Sequence, residues 1–119
     1  LSNGAPDMGF GGTGLLVLPT GTGNSFSFGV AVDNSQRIYA VGDAIFDDGD
    51  AISYRIHPNG DIDNAFANMG LLNVDLAMSD RFTRALFMSD GRVVFVGMGA
   101  TYDLDVITGG GIHLVRIWP

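Results

Sequence analysis

Apolar residues recur along the chain in short runs that alternate with polar residues, and clusters of Gly, Asn, Asp and Ser separate the runs. Such alternation is typical of half-buried β-strands joined by turns. Each half of the chain contains four runs, at residues 15–19, 26–32, 37–42 and 51–56, and then at 71–76, 82–88, 92–97 and 112–117. Asp90-Gly91, between two of them, is a strong hairpin signal. The pattern predicts an all-β fold of antiparallel strands, with a Gly-rich loop before the last run.

The two halves of the chain repeat each other. Three matches occur in the same order, pairing residues 3–16 with 59–72, 36–42 with 91–97, and 54–58 with 115–119. The first match has no gap, and seven of its fourteen positions are identical. These matches predict a tandem repeat with units at 1–58 and 59–119. Since four antiparallel strands are the content of one propeller blade, we expect two tandem four-stranded antiparallel propeller-like blades.

The spaced motifs N-G-x-x-D-x-x-F, G-L-L, D-G-R-[VI]-x-x-x-G and R-I-x-P-[NG] resemble those of the delta-60 repeat family. This resemblance implies propeller-like tandem repeats of secreted or surface-exposed bacterial proteins, without an established catalytic function. Two positions depart from the pattern. Ala67 stands where the first unit has Gly11, and Ser35-Gln36 stands where the second unit has Asp90-Gly91.

Composition narrows the functional classes. All thirteen acidic residues are Asp and all six basic residues are Arg, and together with 18 Gly this argues against an α-helical bundle. A net charge of −7 argues against a nucleic-acid partner. The absence of Cys excludes disulfide frameworks and Cys-based zinc sites. No apolar run approaches the roughly 20 residues of a membrane span, so no membrane span is expected.

Eight residues recur at fixed positions of the two units: Asp7, Phe10, Gly14, Arg55, Asp63, Phe66, Gly70 and Arg116. We interpret them structurally. The Asp side chains are placed to accept hydrogen bonds from turn N–H groups, and the Phe side chains to fill the core. The Arg residues are expected to pair with Asp within each blade in bidentate geometry, with an anion-binding site as the alternative.

The unit boundary predicts an assembly junction. Inside the chain, residues 55–58 run directly into Asn59-Gly60, whereas residues 116–119 and Asn3-Gly4 are the two halves of a second such junction. A head-to-tail neighbour would join these halves at Leu1, Asn3, Gly4, Trp118 and Pro119, and such heterologous contacts form rings or filaments. We therefore expect a non-enzymatic, secreted or cell-surface structural module that binds copies of itself. An excerpt from a longer repeat array is the alternative.

A second function is suggested by two aromatic–acidic pairs, Phe46-Asp47 and Tyr102-Asp103, which lie 56 residues apart in the longest predicted loop of each unit. An exposed ring can stack on the apolar face of a sugar, and a carboxylate can accept hydrogen bonds from its hydroxyls. The alternative function is therefore a carbohydrate-binding, propeller-type lectin module with glycan partners. The simpler interpretation is that these rings cover a blade edge or pack on a neighbouring subunit.

No catalytic residue and no cofactor are expected. Two acidic clusters keep calcium as an alternative: Asn59, Asp61 and Asp63, and Asp47, Asp48 and Asp50. The first has the spacing that opens an EF-hand loop but lacks an acid at the twelfth position. His57 and His113 do not occupy matching positions and have no metal-ligand partner nearby, so we expect a surface His57 and a partly buried His113. The chain has neither a nucleophile elbow nor a phosphate loop.

Overall fold

Seven β-strands form two antiparallel sheets. A computed structural model describes residues 3–21, 23–45, 49–104 and 106–119 of the chain. The strands are β1 (Ser25–Val32), β2 (Ile38–Ala44), β3 (Asp50–Ile56), β4 (Leu71–Val74), β5 (Ser79–Phe87), β6 (Val93–Asp103) and β7 (Val106–Ile117). No helix occurs among the described residues, and the prediction of an all-β antiparallel fold is confirmed.

The sheets differ from the predicted two sets of four strands. The first sheet has the order β1-β2-β3-β4, and the second has the order β5-β6-β7. Strand β4 lies in the second predicted unit but completes the first sheet, where Leu71 pairs with Tyr54 and Val74 pairs with Ala51. The strand predicted at 15–19 is wrong, because the structure has no strand there. No described strand runs beside this segment to share backbone hydrogen bonds with it.

The β1–β2 and β5–β6 hairpins have the same register at an offset of 55 residues. Ser27 pairs with Gly42 in the first hairpin, and Phe82 pairs with Gly97 in the second. Directly after Ser27 and directly after Phe82, the register shifts at a β-bulge. A Cβ atom at either glycine would overlap a backbone carbonyl oxygen of the neighbouring strand. The bulge and the close approach therefore recur at the same positions of both hairpins.

The predicted Gly-rich loop is instead part of a long hairpin. Strands β6 and β7 pair from Val93–Ile117 to Asp103–Val106, and Gly99 lies opposite Gly111. The sequence prediction was wrong here because Gly weakens a strand without preventing it, provided that a neighbouring strand satisfies its backbone groups. Tyr102 and Asp103, which were predicted in a loop, consequently lie at the end of β6.

Two groups of apolar side chains lie on opposite faces of the first sheet. The inner core lies between the sheets and consists of Tyr39, Val41, Ala51, Phe66, Phe82, Val93 and Phe95. Its rings pack at an angle to one another, as Tyr39 and Phe66 do at 5.6 Å between ring centroids. The outer cluster lies on the other face and consists of Ala44, Ile52, Tyr54 and Ile56. The first sheet thus contacts apolar groups on both faces, whereas the second has only its inner face in the core.

Candidate functional site

Arg55 and Asp63 form a buried ion pair where the two predicted units meet. Arg55 lies near the end of β3, and its Nε donates to Oδ2 of Asp63 over 2.8 Å. The two side chains are only 4% and 7% exposed. The backbone N–H of Asp63 also donates to the Arg55 carbonyl over 2.9 Å. The guanidinium lies over the Phe66 ring, 4.7 Å from its centroid, and we call these three residues the junction cluster.

This pairing differs from the predicted one. The sequence predicts Arg–Asp pairs within each unit, but Arg55 of the first unit contacts Asp63 of the second unit through one guanidinium nitrogen. Pairs within a unit occur instead at the hairpin turns, between Arg37 and Asp33 in the first hairpin. An Arg side chain is long, so the sequence alone does not specify which of several nearby carboxylates it contacts.

The pKa of the Asp63 carboxyl lies below its ordinary value of 3.8. Burial alone would raise it, because desolvation disfavours the charged form. Hydrogen bonds from Arg55 and from the N–H of Ala65, together with the charges of Arg55 and His57, outweigh this effect. His57 is half exposed, with its Nε2 3.6 Å from Oδ1 of Asp63. Asp63 is therefore a carboxylate at neutral pH and a fixed acceptor for Arg55.

The repeat counterparts of the junction cluster are Asp7, Phe10 and Arg116. Around Asp7, the N–H of Phe10 donates to the Asp7 carbonyl over 2.9 Å and the N–H of Gly14 donates to the Phe10 carbonyl over 2.7 Å. The turn after Asp63 contains the same two bonds. Gly14 and its counterpart Gly70 both have positive φ, at 77° and 92°, a conformation that favours glycine. The turn geometry is thus present in both copies.

Asp7 and Arg116 do not complete a second junction cluster. Both are exposed, and neither makes an ion pair with another described residue. Phe10 is half-buried, whereas Phe66 is fully buried in the inner core. The chain therefore presents the acidic turn and the basic strand of this cluster as separate exposed groups.

The interface between the two sheets joins faces that are not equivalent in the repeat. The first sheet turns Tyr39 and Val41 of β2 inward, and the second sheet turns Val93 and Phe95 of β6 inward. In the aligned repeat, Tyr39 corresponds to Val94, which points outward. The face of the first sheet that is buried in the inner core thus corresponds, in the repeat, to the outward face of the second sheet.

Both outer faces carry apolar side chains. We define the front face as the outer face of the second sheet, with Leu86, Val94, Val96, Met98, Ile112 and Leu114. We define the back face as the outer face of the first sheet, with Val30, Val32, Ile38, Ala40 and the outer cluster. Four front-face side chains are largely exposed, and they are Leu86, Met98, Ile112 and Leu114. Arg84 and Arg116 lie on the same face as these side chains, and exposed apolar side chains clustered on one sheet face are typical of an interaction site.

Residues 15–18 lie across the back face. Leu16 and Leu18 pack against the outer cluster, whereas Leu15 and Val17 are 70% and 91% exposed. The hydroxyl of Tyr54 donates to the Pro19 carbonyl directly after this segment. The side chains of the segment therefore alternate between the sheet and solvent as those of a strand do.

The predicted junction residues are exposed wherever the structure describes them. Leu1 lies outside the described residues, and Asn3, Gly4, Trp118 and Pro119 are all exposed. Trp118 is 72% exposed, and the guanidinium carbon of Arg92 lies over its ring, 5.4 Å from the centroid. The indole is therefore open to a contact outside the chain.

The predicted sugar-binding pairs are described only in part. Phe46 and Asp47 lie outside the described residues. Tyr102 is 37% exposed at the end of β6, and Asp103 beside it is exposed. Leu104, Val106 and Ile107 around the hairpin tip are exposed apolar residues. This tip presents an aromatic ring and a carboxylate on a largely apolar surface.

The acidic clusters do not converge on a metal position. Asp63 is held by Arg55, while the amide of Asn59 donates to the Asp61 carboxylate over 2.7 Å. Asp50 accepts a hydrogen bond from Asn73 over 2.7 Å, and the neighbouring acids at 47 and 48 lie outside the described residues. In the described part of the chain, no three His or Asp side chains are grouped to hold a metal ion.

Sequence reasoning missed one buried carboxylate, Asp80. Its Oδ2 accepts hydrogen bonds from the N–H groups of Leu76 and Ala77 over 2.6 and 2.7 Å, and its Oδ1 lies 3.0 Å from Nδ1 of His113. An Asp three to four residues after a turn was the available signal, since such residues cap backbone N–H groups. The pair fixes the 75–78 link between the two sheets to β7.

Within the described residues, no helix is both long and apolar enough to span a lipid bilayer. The chain matches no protein-family model, no curated protein and no solved structure. The functional proposal therefore rests on the residues described above.

Proposed function

We propose that this chain is a non-enzymatic structural module that assembles head to tail with copies of itself into a ring, fibre or tube. One observation carries the proposal: the two faces that pack together inside the chain correspond in the repeat to its two outer faces, and both outer faces carry exposed apolar side chains although residues 15–18 cover the outer cluster. A second copy can place its back face on the front face of the first and repeat the packing that already exists inside the chain. Such a contact is heterologous, so it continues as a filament or closes into a ring.

The chemistry of the two faces supports this proposal. Ile112 and Leu114 are exposed on the front face, and Val30 and Val32 are exposed on the back face. Full burial of one such side chain contributes about 1.5–3 kcal/mol. Exposed apolar sheet faces without a partner favour aggregation, whereas a matched second face turns the same surface into a defined contact.

The same proposal treats the sheets as blades of a propeller-like array of the delta-60 repeat type, in a secreted or cell-surface protein. The shared hairpin register and the shared turns at Asp7 and Asp63 support the blade repeat. The extracellular location rests on the resemblance of the motifs to that family. The recurring Asp, Arg and Phe residues are assigned to turns, ion pairs and packing, and none is assigned to catalysis.

Light scattering coupled to size-exclusion chromatography tests the proposal on the 119-residue chain. We expect multimers whose mass rises with protein concentration, and a stable monomer at all concentrations would contradict the proposal. Leu114→Asp places a charge in the front face and should give monomers with an unchanged circular dichroism spectrum. The matched control is Leu104→Asp, because Leu104 is an exposed leucine at the tip of the β6–β7 hairpin and outside the front-face side chains, and it should leave assembly intact.

Glycan binding is the second candidate function, and the exposed Tyr102 beside Asp103 favours it. A glycan array separates the two candidates. Binding that is lost in Tyr102→Ala, while the multimers persist, would establish a lectin activity on the assembled protein. No binding to any glycan by the wild-type chain would remove this candidate.

A further inference from the structure

Strand β7 has an open edge. It pairs with β6 on one side, and no described strand lies on its other side. The repeat counterpart of β7 in the first sheet is β3. Ile56 of β3 pairs with Ile38, and their counterparts Ile117 and Val93 pair in the second sheet. Strand β3 carries a further neighbour, β4. Among the described strands, the second sheet therefore has no counterpart of β4.

The counterpart of β4 in the repeat is the segment 15–18, which the gapless alignment of 3–16 with 59–72 and its continuation define. In β4, Leu72 and Val74 pack against the inner core. Their counterparts Leu16 and Leu18 pack against the outer cluster in the same alternation. The segment thus lies against the first sheet as β4 lies against the second sheet, but no described strand pairs with it.

We infer that residues 15–18 of one copy pair with the open edge of β7 of another copy and complete its sheet as a fourth antiparallel strand. This inference rests on the self-assembly proposed above and specifies its partner and register. The β3–β4 register, transferred to the repeat, pairs Leu15 with Val115, Leu16 with Leu114, Val17 with His113 and Leu18 with Ile112. Pairing of an added strand with an exposed sheet edge is a general mode of protein recognition.

The backbone around the new strand fits the same register. Within the chain, the N–H of Arg55 donates to the Gly70 carbonyl over 3.0 Å. The equivalent bond between two copies joins the N–H of Arg116 in one copy to the Gly14 carbonyl of the other. Pro6 stands where the second unit has Ile62 and has no N–H to donate. The bridge between Ile56 and Ile62 uses N–H groups of the residues beside them, not that of Ile62, so a proline is compatible with this position.

Charge complementarity selects the same junction. Transferred to two copies, the Arg55–Asp63 contact becomes a contact between Arg116 of one copy and Asp7 of the next, with Phe10 beneath the guanidinium. Both charged groups are exposed and make no ion pair within the described part of the chain. A second junction cluster forms between copies, and it contains the residues that recur in the repeat.

Disulfide trapping tests the register, because the chain contains no Cys. Leu15→Cys and Val115→Cys are prepared as two separate proteins, mixed and oxidised, so that any mixed disulfide joins two copies. A disulfide-linked dimer with a 15–115 cross-linked peptide is expected. The control mixes Leu16→Cys with Val115→Cys, and it should give at least tenfold less dimer, since a one-residue shift turns the side chain to the opposite face.

Arg116→Ala provides a second readout. We expect it to raise the dissociation constant between copies about a hundredfold, because it leaves Asp7 unpaired in a desolvated contact. Arg37→Ala, in the β1–β2 turn, removes an arginine of the same type away from this edge and should leave the dissociation constant unchanged.

The outcomes separate the two proposals. A wild-type chain that stays monomeric overturns self-assembly and strand addition together. Multimers in which 15 and 115 do not cross-link, or in which 16 and 115 cross-link instead, overturn strand addition and leave face-to-face assembly standing. Multimers with the 15–115 link and with weakening by Arg116→Ala support both.

Discussion

The buried Nε of Arg55 donates a hydrogen bond to the Asp63 carboxylate over 2.8 Å. This bond joins the end of β3 to the turn that leads into β4. The contact spans the boundary between the two predicted units, since Arg55 belongs to the first unit and Asp63 to the second. A buried pair of this kind is costly to break, because the remaining charge stays away from water.

Arg55→Ala should therefore lower the free energy of unfolding by about 3 kcal/mol. Urea denaturation followed by circular dichroism measures the loss. Arg37→Ala removes a more exposed partner of Asp33 and should cost at most about 1 kcal/mol. The double variant Arg55→Met/Asp63→Leu should recover most of the loss, and a double variant as unstable as Arg55→Ala would show that the charge itself is not the cause.

Stability should fall at acidic pH through Asp63. The pKa of this carboxyl is lower in the folded chain than its ordinary value of 3.8, so its contribution is present above that value and is lost as the pH falls through the folded pKa. The difference in unfolding free energy between wild type and Asp63→Asn should thus be constant above about pH 5 and shrink below about pH 4. Urea midpoints measured across this range give the difference.

Asp43 provides a control, because its pKa is shifted in the opposite direction to that of Asp63. Burial raises the pKa of this carboxyl, and the charge of Arg81 and the N–H of Phe26 only partly offset it. Its contribution is therefore present at low pH and is lost as the pH rises above 3.8 through the folded pKa. The two Asp→Asn variants should shift the pH profile of stability in opposite directions, and parallel shifts would contradict the assigned pKa changes.

Gly42→Ala and Gly97→Ala should destabilise the chain equally, by about 3 kcal/mol each, because the added Cβ would overlap the carbonyl oxygens of Phe26 and Arg81. Thermal unfolding of the two variants measures the effect. At Gly111 an added Cβ meets no atom within 4 Å. Gly111→Ala should therefore leave stability unchanged or raise it, and a loss as large as at the other two glycines would contradict the close-approach explanation.

Ala67→Gly should stabilise the chain by about 0.5–1 kcal/mol. Ala67 has a φ of 44°, a left-handed conformation that costs an L-residue more than glycine. Its counterpart is Gly11, whose φ is 59°. The control is Ala65→Gly in the same turn, where φ is not positive and the substitution should lower the unfolding free energy by about 0.5–1 kcal/mol.

The strands were largely predictable, and their partners were not. Alternation located β1 to β5 to within three residues of their ends, but it placed the end of β6 and the start of β7 six residues away, because the Gly-rich segment between them lacks an alternating pattern. It did not show that β4 completes the first sheet, since periodicity defines a strand but not its neighbour. For the same reason, residues 15–18 have the pattern of a strand and yet no described strand beside them.

The candidate site was predictable as a set of residues but not as a set of contacts. Repetition selected Asp63, Phe66 and Arg55 from the sequence. Their meeting across the unit boundary depends on the turn at Asn59-Gly60, whose path the sequence does not specify. The contact of Asp80 with His113 was missed because the two residues are distant in sequence and close only in the folded chain.

The position of β4 has a consequence for cotranslational folding. Strands β1 to β3 are complete at Ile56, but the strand that covers the β3 edge ends only at Val74. At about 5–20 residues per second, the first sheet waits roughly one to a few seconds with that edge bare. Until Asp63 has been synthesised, Arg55 also lacks its carboxylate partner. A nascent chain of this protein is thus most exposed to wrong pairing, and to a chaperone, during synthesis of residues 57–74.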